Sequence, residues 1–125
     1  MQDANTSARI CRATIAFVWL YQGIVPKLLG PHVDEMNMAL SIGVSPATAT
    51  NLSYLGGAAE LVMAGCVLWF ARKTWPLWLT IALMAGLLAF VLIFTPYLLK
   101  GAFNPVTTNL CVVALCVVCL RLQRT

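Results

Sequence analysis

Apolar positions along the chain gather into four long runs, separated by short polar breaks, instead of alternating as in a half-buried strand or marking one stripe of a surface helix. The runs are Ala13 to Leu29, Pro46 to Ala71, Trp75 to Leu99 and Pro105 to Leu120. A hydrocarbon core is crossed by about 20 apolar residues, with a lower limit of about 17; the first three runs reach it and the fourth comes within about one residue of it, so the four runs predict four spanning helices. Punctuation agrees with these limits. Ser45-Pro46 pairs an N-capping hydroxyl with proline at the first helical position, and Trp75-Pro76 and Asn104-Pro105 open the third and fourth runs in the same way. Gly30-Pro31 ends the first. The only sizeable break, "GPHVDEMNMALSIGV", mixes Val33, Met36, Met38, Leu40 and Ile42 with Asp34, Glu35 and Asn37, which predicts a short interfacial helix on the outer leaflet.

Composition turns this pattern into a class. Of 125 residues 61% are hydrophobic and 10% charged, against roughly 45–50% and about 25% in soluble domains; the mean hydropathy is +0.87. The expectation is one all-α domain over residues 1–125, an integral membrane four-helix bundle. Arg9 and Arg12 precede the first run, Arg72 and Lys73 join the second to the third, and Arg121 and Arg124 follow the fourth. Only Lys27 and Lys100 fall near the opposite side, so the Lys/Arg bias places both termini in the cytoplasm. That bias accounts for the net charge of +4 without a nucleic-acid partner. The first run exceeds a signal-peptide h-region and no small-x-small site follows it, so it reads as a retained helix. The five cysteines, Cys11, Cys66, Cys111, Cys116 and Cys119, have no histidine beside them, which predicts free buried thiols and no metal site. His32 reads as a solvated loop residue. "VPKLLG" and "TPYLLKG" close the first and third runs alike, a short match that suggests two parallel hairpins.

Within this apolar frame Glu60 stands out, embedded in "YLGGAAELVMAGCVLWF". At 1.5 Å per residue it lies about 18 Å above Arg72, Asn109 about 18 Å above Arg121, Gln22 about 15 Å above Arg12 and Lys27 about 22 Å above Arg12. These four side chains fall in one layer. Ser53, Gly56, Glu60 and Ala64 share a small-residue stripe that turns the acid into the bundle. A charge at a helix centre costs about 2.5–3.5 kcal/mol on insertion scales, so an offsetting partner is expected. Lys27 is the nearest cation, and a Lys27–Glu60 pair completed by Gln22 and Asn109 would satisfy both ions; alternatively Lys27 snorkels to lipid phosphate and Glu60 holds a proton. Such a layer serves either a ligand or proton, or the register of the helices. Trp19 and Tyr21 are deep enough to line a pocket, Tyr54, Trp69, Trp75 and Trp78 read as interfacial belt residues, and Cys111, Leu115 and Cys119 read as a packing stripe. No nucleotide loop, serine elbow or haem-ligating histidine pair is present in the sequence.

"WLYQGIVPKLLG", "LGGAAEL" and "KGAFNPVTTNL" together resemble the DoxX-like family of small four-helix bacterial membrane proteins, over Arg12 to about Leu120. The resemblance implies a multi-pass bundle in the bacterial inner membrane, related to proteins some of which are subunits of quinone-linked complexes. The matching positions are Gln22, Gly23, Pro26, Lys27, Gly56, Glu60, Phe103, Asn104, Pro105 and Asn109, with Asn104 and Pro105 placed to cap the fourth helix. The leading expectation is a subunit, non-catalytic alone, whose polar layer binds a quinone or other lipophilic ligand and supports a separate oxidoreductase polypeptide. A small proton-coupled carrier, working as a homo-oligomer with Glu60 as its titrating group, and a purely structural assembly protein are the alternatives.

Overall fold

The computed structural model describes residues 1–124. Helix α1 covers Gln2–Gly23 and runs on through a π-helical turn, Ile24–Leu28; α2 is Val33–Leu40, α3 Pro46–Trp69, α4 Trp75–Phe94 and α5 Pro105–Leu122. Four long helices and one short one make an all-helical bundle. α3, α4 and α5 are each long and apolar enough to cross a membrane, whereas α1 passes the same test only together with α2, from which it bends by 81°. α2 is the short helix expected in the long break, turned almost perpendicular to α1 and packed against α3.

Two boundaries and one cap differ most from the expected ones. α1 begins at Gln2 instead of Ala13, because hydropathy marks where a helix is buried and not where the backbone starts to coil; Asp3 sits favourably in its first turn. The third run stops at Phe94, not Leu99. Pro96 has no N–H to continue the ladder and restricts the residue before it, so Thr95 leaves the helical region (φ −138°, ψ 54°) and a 3₁₀ turn, Pro96–Lys100, follows. Thr74, not Trp75, is the N-cap residue of α4, without a side-chain bond. The other two caps form as expected. Ser45 Oγ accepts the Thr48 N–H at 3.2 Å, and Asn104 Oδ1 accepts the Thr107 N–H at 3.2 Å.

α1 is the centre of the bundle, packed on α3 and on α5, while α5 also carries α4; α3 and α4 barely touch each other. The core is Ile15, Ala16 and Trp19 of α1, Met63, Ala64 and Val67 of α3, Leu77 and Met84 of α4, and Val112, Cys116 and Cys119 of α5. On α5 the buried face is therefore Asn109, Val112, Cys116 and Cys119, and Cys111 is exposed, so the expected Cys111–Leu115–Cys119 stripe is rotated by about one position. α1 and α3 cross glycine on glycine. A Cβ on Gly23 would lie 2.8 Å from the Gly57 carbonyl oxygen, and one on Gly57 2.8 Å from that of Gly23. Gly57, rather than the expected Gly56, is thus the residue that lets these backbones meet.

Candidate functional site

Pro26 shapes the outer end of α1. It removes one N–H from the helical ladder, and the backbone widens to a π turn in which the Leu29 N–H reaches back five residues to the Ile24 carbonyl at 2.8 Å. The next residue, Lys27, runs its stem past Gly56, where a Cβ would touch Lys27 Cε at 3.6 Å. Its Nζ then donates to Glu60 Oε1 at 3.0 Å. The same Nζ lies 3.0 Å from Glu35 Oε1 of α2. The side chains of Lys27, Glu60 and Glu35 are 12%, 12% and 23% exposed, so one ammonium bridges two largely buried carboxylates. Glu35, read from the sequence as a loop acid, is the partner that sequence spacing missed. The sharp bend after Gly30, whose φ of 132° suits glycine, folds α2 back over the bundle and brings that acid home.

The other members of the expected layer take different roles. Asn109 is buried, but its Nδ2 donates to the Met84 carbonyl at 3.1 Å, tying α5 to α4 and leaving it out of the ion pair's hydrogen bonds. Gln22 is half-buried and borders the same cavity without bonding to Lys27 or Glu60. Glu60 Oε2 is buried with no hydrogen-bond partner, packed over Gly23, where a Cβ would stand 3.6 Å from it. Trp19 is 2% exposed, and its Nε1 donates to Thr80 Oγ1 at 3.1 Å. Tyr21, by contrast, lies outside, 51% exposed and tilted against Phe17, so it lines no pocket. Phe103 is fully exposed at the rim, and Asn104 and Pro105 serve as the cap of α5.

A cavity of about 610 Å³ lies beside this cluster, bordered by Val18, Trp19 and Gln22 of α1, Lys27, Glu35, Glu60, Leu87 and Val91, and Asn109. It draws on all four long helices and on α2, in a volume within the range of about 300–1,000 Å³ usual for small-molecule sites. Of its three N–H donors Lys27 gives one to Glu60 in a hydrogen bond while ion-pairing with Glu35, so at least one remains for an acceptor on a ligand. The arrangement offers a charged head-group contact on the wall of an apolar chamber, with no nucleophile and base within reach of each other. Among the described residues no group of three or more His, Cys, Asp and Glu side chains is placed to hold a metal ion.

Arg12, counted from the sequence only as a charge flanking the first run, is 4% exposed. Its Nη1 donates to the Val67 carbonyl at 2.9 Å and its Nη2 to the Lys73 carbonyl at 2.6 Å, binding α1 to the C-terminal end of α3, where the helix dipole favours a cation.

A sequence model of the DoxX-like family matches residues 16–117. No curated protein and no solved structure gives a match. The matched stretch includes Lys27, Glu35, Glu60 and Asn109 and stops short of Arg12.

Proposed function

From the premise that the chain belongs to the DoxX-like family of membrane proteins, we propose that it is a binding subunit for a lipophilic molecule with a polar head, a quinone being the class that fits best. The single observation that carries this reading is the Lys27–Glu60–Glu35 cluster on the wall of an apolar cavity. Val18, Trp19, Leu87 and Val91 would take the ring and the first part of the tail, and the free N–H of Lys27 would donate to a ring carbonyl. Glu60 and Glu35 hold the ammonium in place and keep its charge from standing alone in the bundle. Electron transfer itself belongs to a separate oxidoreductase polypeptide in the bacterial inner membrane, with both termini of this chain in the cytoplasm, where the Arg/Lys-rich connections lie.

Native mass spectrometry of the protein in lipid discs, after incubation with a short-chain benzoquinone, tests the proposal. Wild type should retain one quinone, Lys27→Met should lose it, and Asn109→Leu should keep it. A wild-type protein that retains no quinone, or a Lys27→Met variant that retains it equally, refutes the reading.

A further inference from the structure

A second cavity, of about 810 Å³, lies at the opposite end of the bundle, where α1 begins and α5 ends. Its walls include Ala4, Ala8, Arg9 and Arg12 of α1, Arg72 of the α3–α4 turn and Gln123 beyond α5. Three guanidinium groups border it and, among the described residues, no acidic side chain does. Gln123 closes one side by donating from Nε2 to the Ala71 carbonyl at 2.7 Å. Most of these residues lie outside the 16–117 stretch matched by the family model.

Arg12 supplies the independent observation. It is a cation buried to 4% exposure, and among the described residues no carboxylate pairs with it. Its two terminal nitrogens are spent on backbone carbonyls and its Nε is buried with no hydrogen-bond partner, while the neutral thiol of Cys119 lies against the guanidinium without supplying a charge. A buried charge without a counter-ion is costly, and the helix dipole of α3 offsets only part of it. Arg9 and Arg72 add like charge around the same cavity, which raises the need for an anion. The level within the bundle fits a lipid as one source. Trp69, Trp75 and Trp78, all exposed on the surface, sit on the helix ends beside this cavity, as aromatic side chains do at the depth of lipid head groups.

We infer that this cavity binds a phosphate-bearing anion, the head group of an anionic phospholipid or free phosphate, with Arg9 and Arg72 as its direct contacts and Arg12 as the buried charge behind them. Guanidinium forks match phosphate oxygens in pairs of hydrogen bonds, and the apolar alanines alongside accommodate the glycerol and upper acyl chain.

The test places wild type, an Arg9→Gln/Arg72→Gln variant and an Arg121→Gln/Arg124→Gln control in discs of phosphatidylcholine with phosphatidylglycerol, and counts the lipids each retains on release. Wild type and control should keep phosphatidylglycerol in excess of its bulk share. Loss of two arginines near the surface should weaken that retention by roughly 25-fold. In discs of phosphatidylcholine alone, added inorganic phosphate should raise the thermal midpoint of wild type but not of the Arg9→Gln/Arg72→Gln variant if free phosphate is the natural source, and neither if the lipid is. Equal phosphatidylglycerol retention by wild type and the Arg9→Gln/Arg72→Gln variant, with no response to phosphate, overturns the inference. So does equal loss in both variants, which would mean unspecific attraction to a basic surface.

Discussion

Substituting Gly57 by alanine isolates the crossing of α1 and α3 on which the ion-pair site depends. The added Cβ would meet the Gly23 carbonyl oxygen at 2.8 Å, Leu28 Cγ at 2.9 Å and Leu28 Cδ2 at 3.1 Å. Leu28 can turn aside, but the backbone oxygen cannot, so the helices must part by several tenths of an ångström. Forcing a methyl into a packed seam costs about 1–3 kcal/mol, while alanine in place of glycine gains about 1 kcal/mol of helix propensity. Comparison with Gly65→Ala removes the second quantity, since a Cβ on Gly65 meets nothing within 4 Å. Gly57→Ala should therefore be about 1–3 kcal/mol less stable than Gly65→Ala, measured by unfolding in mixed micelles of a mild detergent and SDS followed by tryptophan emission. Parting the helices also draws Glu60 away from Lys27, so quinone retention should fall in the same variant. If the two alanine variants are equally stable, the close crossing, and with it the reason for a glycine at position 57, is refuted.

Three further outcomes follow from the geometry. Lys27→Met leaves Glu60 and Glu35 facing each other without a cation and should cost about 3–5 kcal/mol, part of which Lys27→Met/Glu60→Gln recovers; a double variant no better than the single one in the same unfolding assay contradicts a coupled pair. Asn109→Leu removes one interhelical hydrogen bond and should cost about 0.6–1.7 kcal/mol in that assay, leaving the ion pair untouched; loss of quinone retention would place Asn109 in the binding site instead. The proposed orientation, with both termini in the cytoplasm, predicts that a thiol reagent that cannot cross the membrane labels Ser41→Cys on intact cells above the background of the native thiols and leaves Ser7→Cys unlabelled; the reverse pattern would invert the orientation.

The helices were legible because twenty apolar residues in a row have few other destinations, and because Ser45, Asn104 and their prolines mark helix starts by the same hydrogen bonds wherever they occur. The ends that slipped did so where burial and coiling part company. Gln2 to Arg12 is helical without being apolar, and Leu98 is apolar without being in α4. Counting depth along straight helices brought Lys27 and Glu60 to one level, and they meet. The same count had no access to rotation about the helix axis. It chose Gly56 where Gly57 faces α1, Cys111 where Cys116 is buried, and it set Asn109 beside the ion pair when its amide faces α4. With a GlyGly pair and near-uniform apolarity the periodic signal that would fix a face is almost flat.

Glu35 and Arg12 mark the deeper limit, since each acquires its role from chain reversal. Glu35 reaches Lys27 only because the wide turn at Pro26 and the bend at Gly30 fold α2 back on the bundle. Arg12 reaches the carbonyls of Val67 and Lys73 only because α3 ends against α1. The result is an electrical asymmetry that the list of charges conceals. At one end a single ammonium holds two carboxylates, and at the other three guanidinium groups border a cavity with no acidic side chain among the described residues. A ligand for the first site must offer an acceptor to Lys27 without displacing Glu60, which favours a neutral carbonyl over an anion. A ligand for the second must bring the negative charge that Arg12 lacks. The two proposed sites at the ends of one small bundle thus call for opposite chemistries, and an anionic lipid that stabilises the second should leave quinone retention at the first unchanged unless the tilt of α1, which carries both Arg12 and Lys27, couples them.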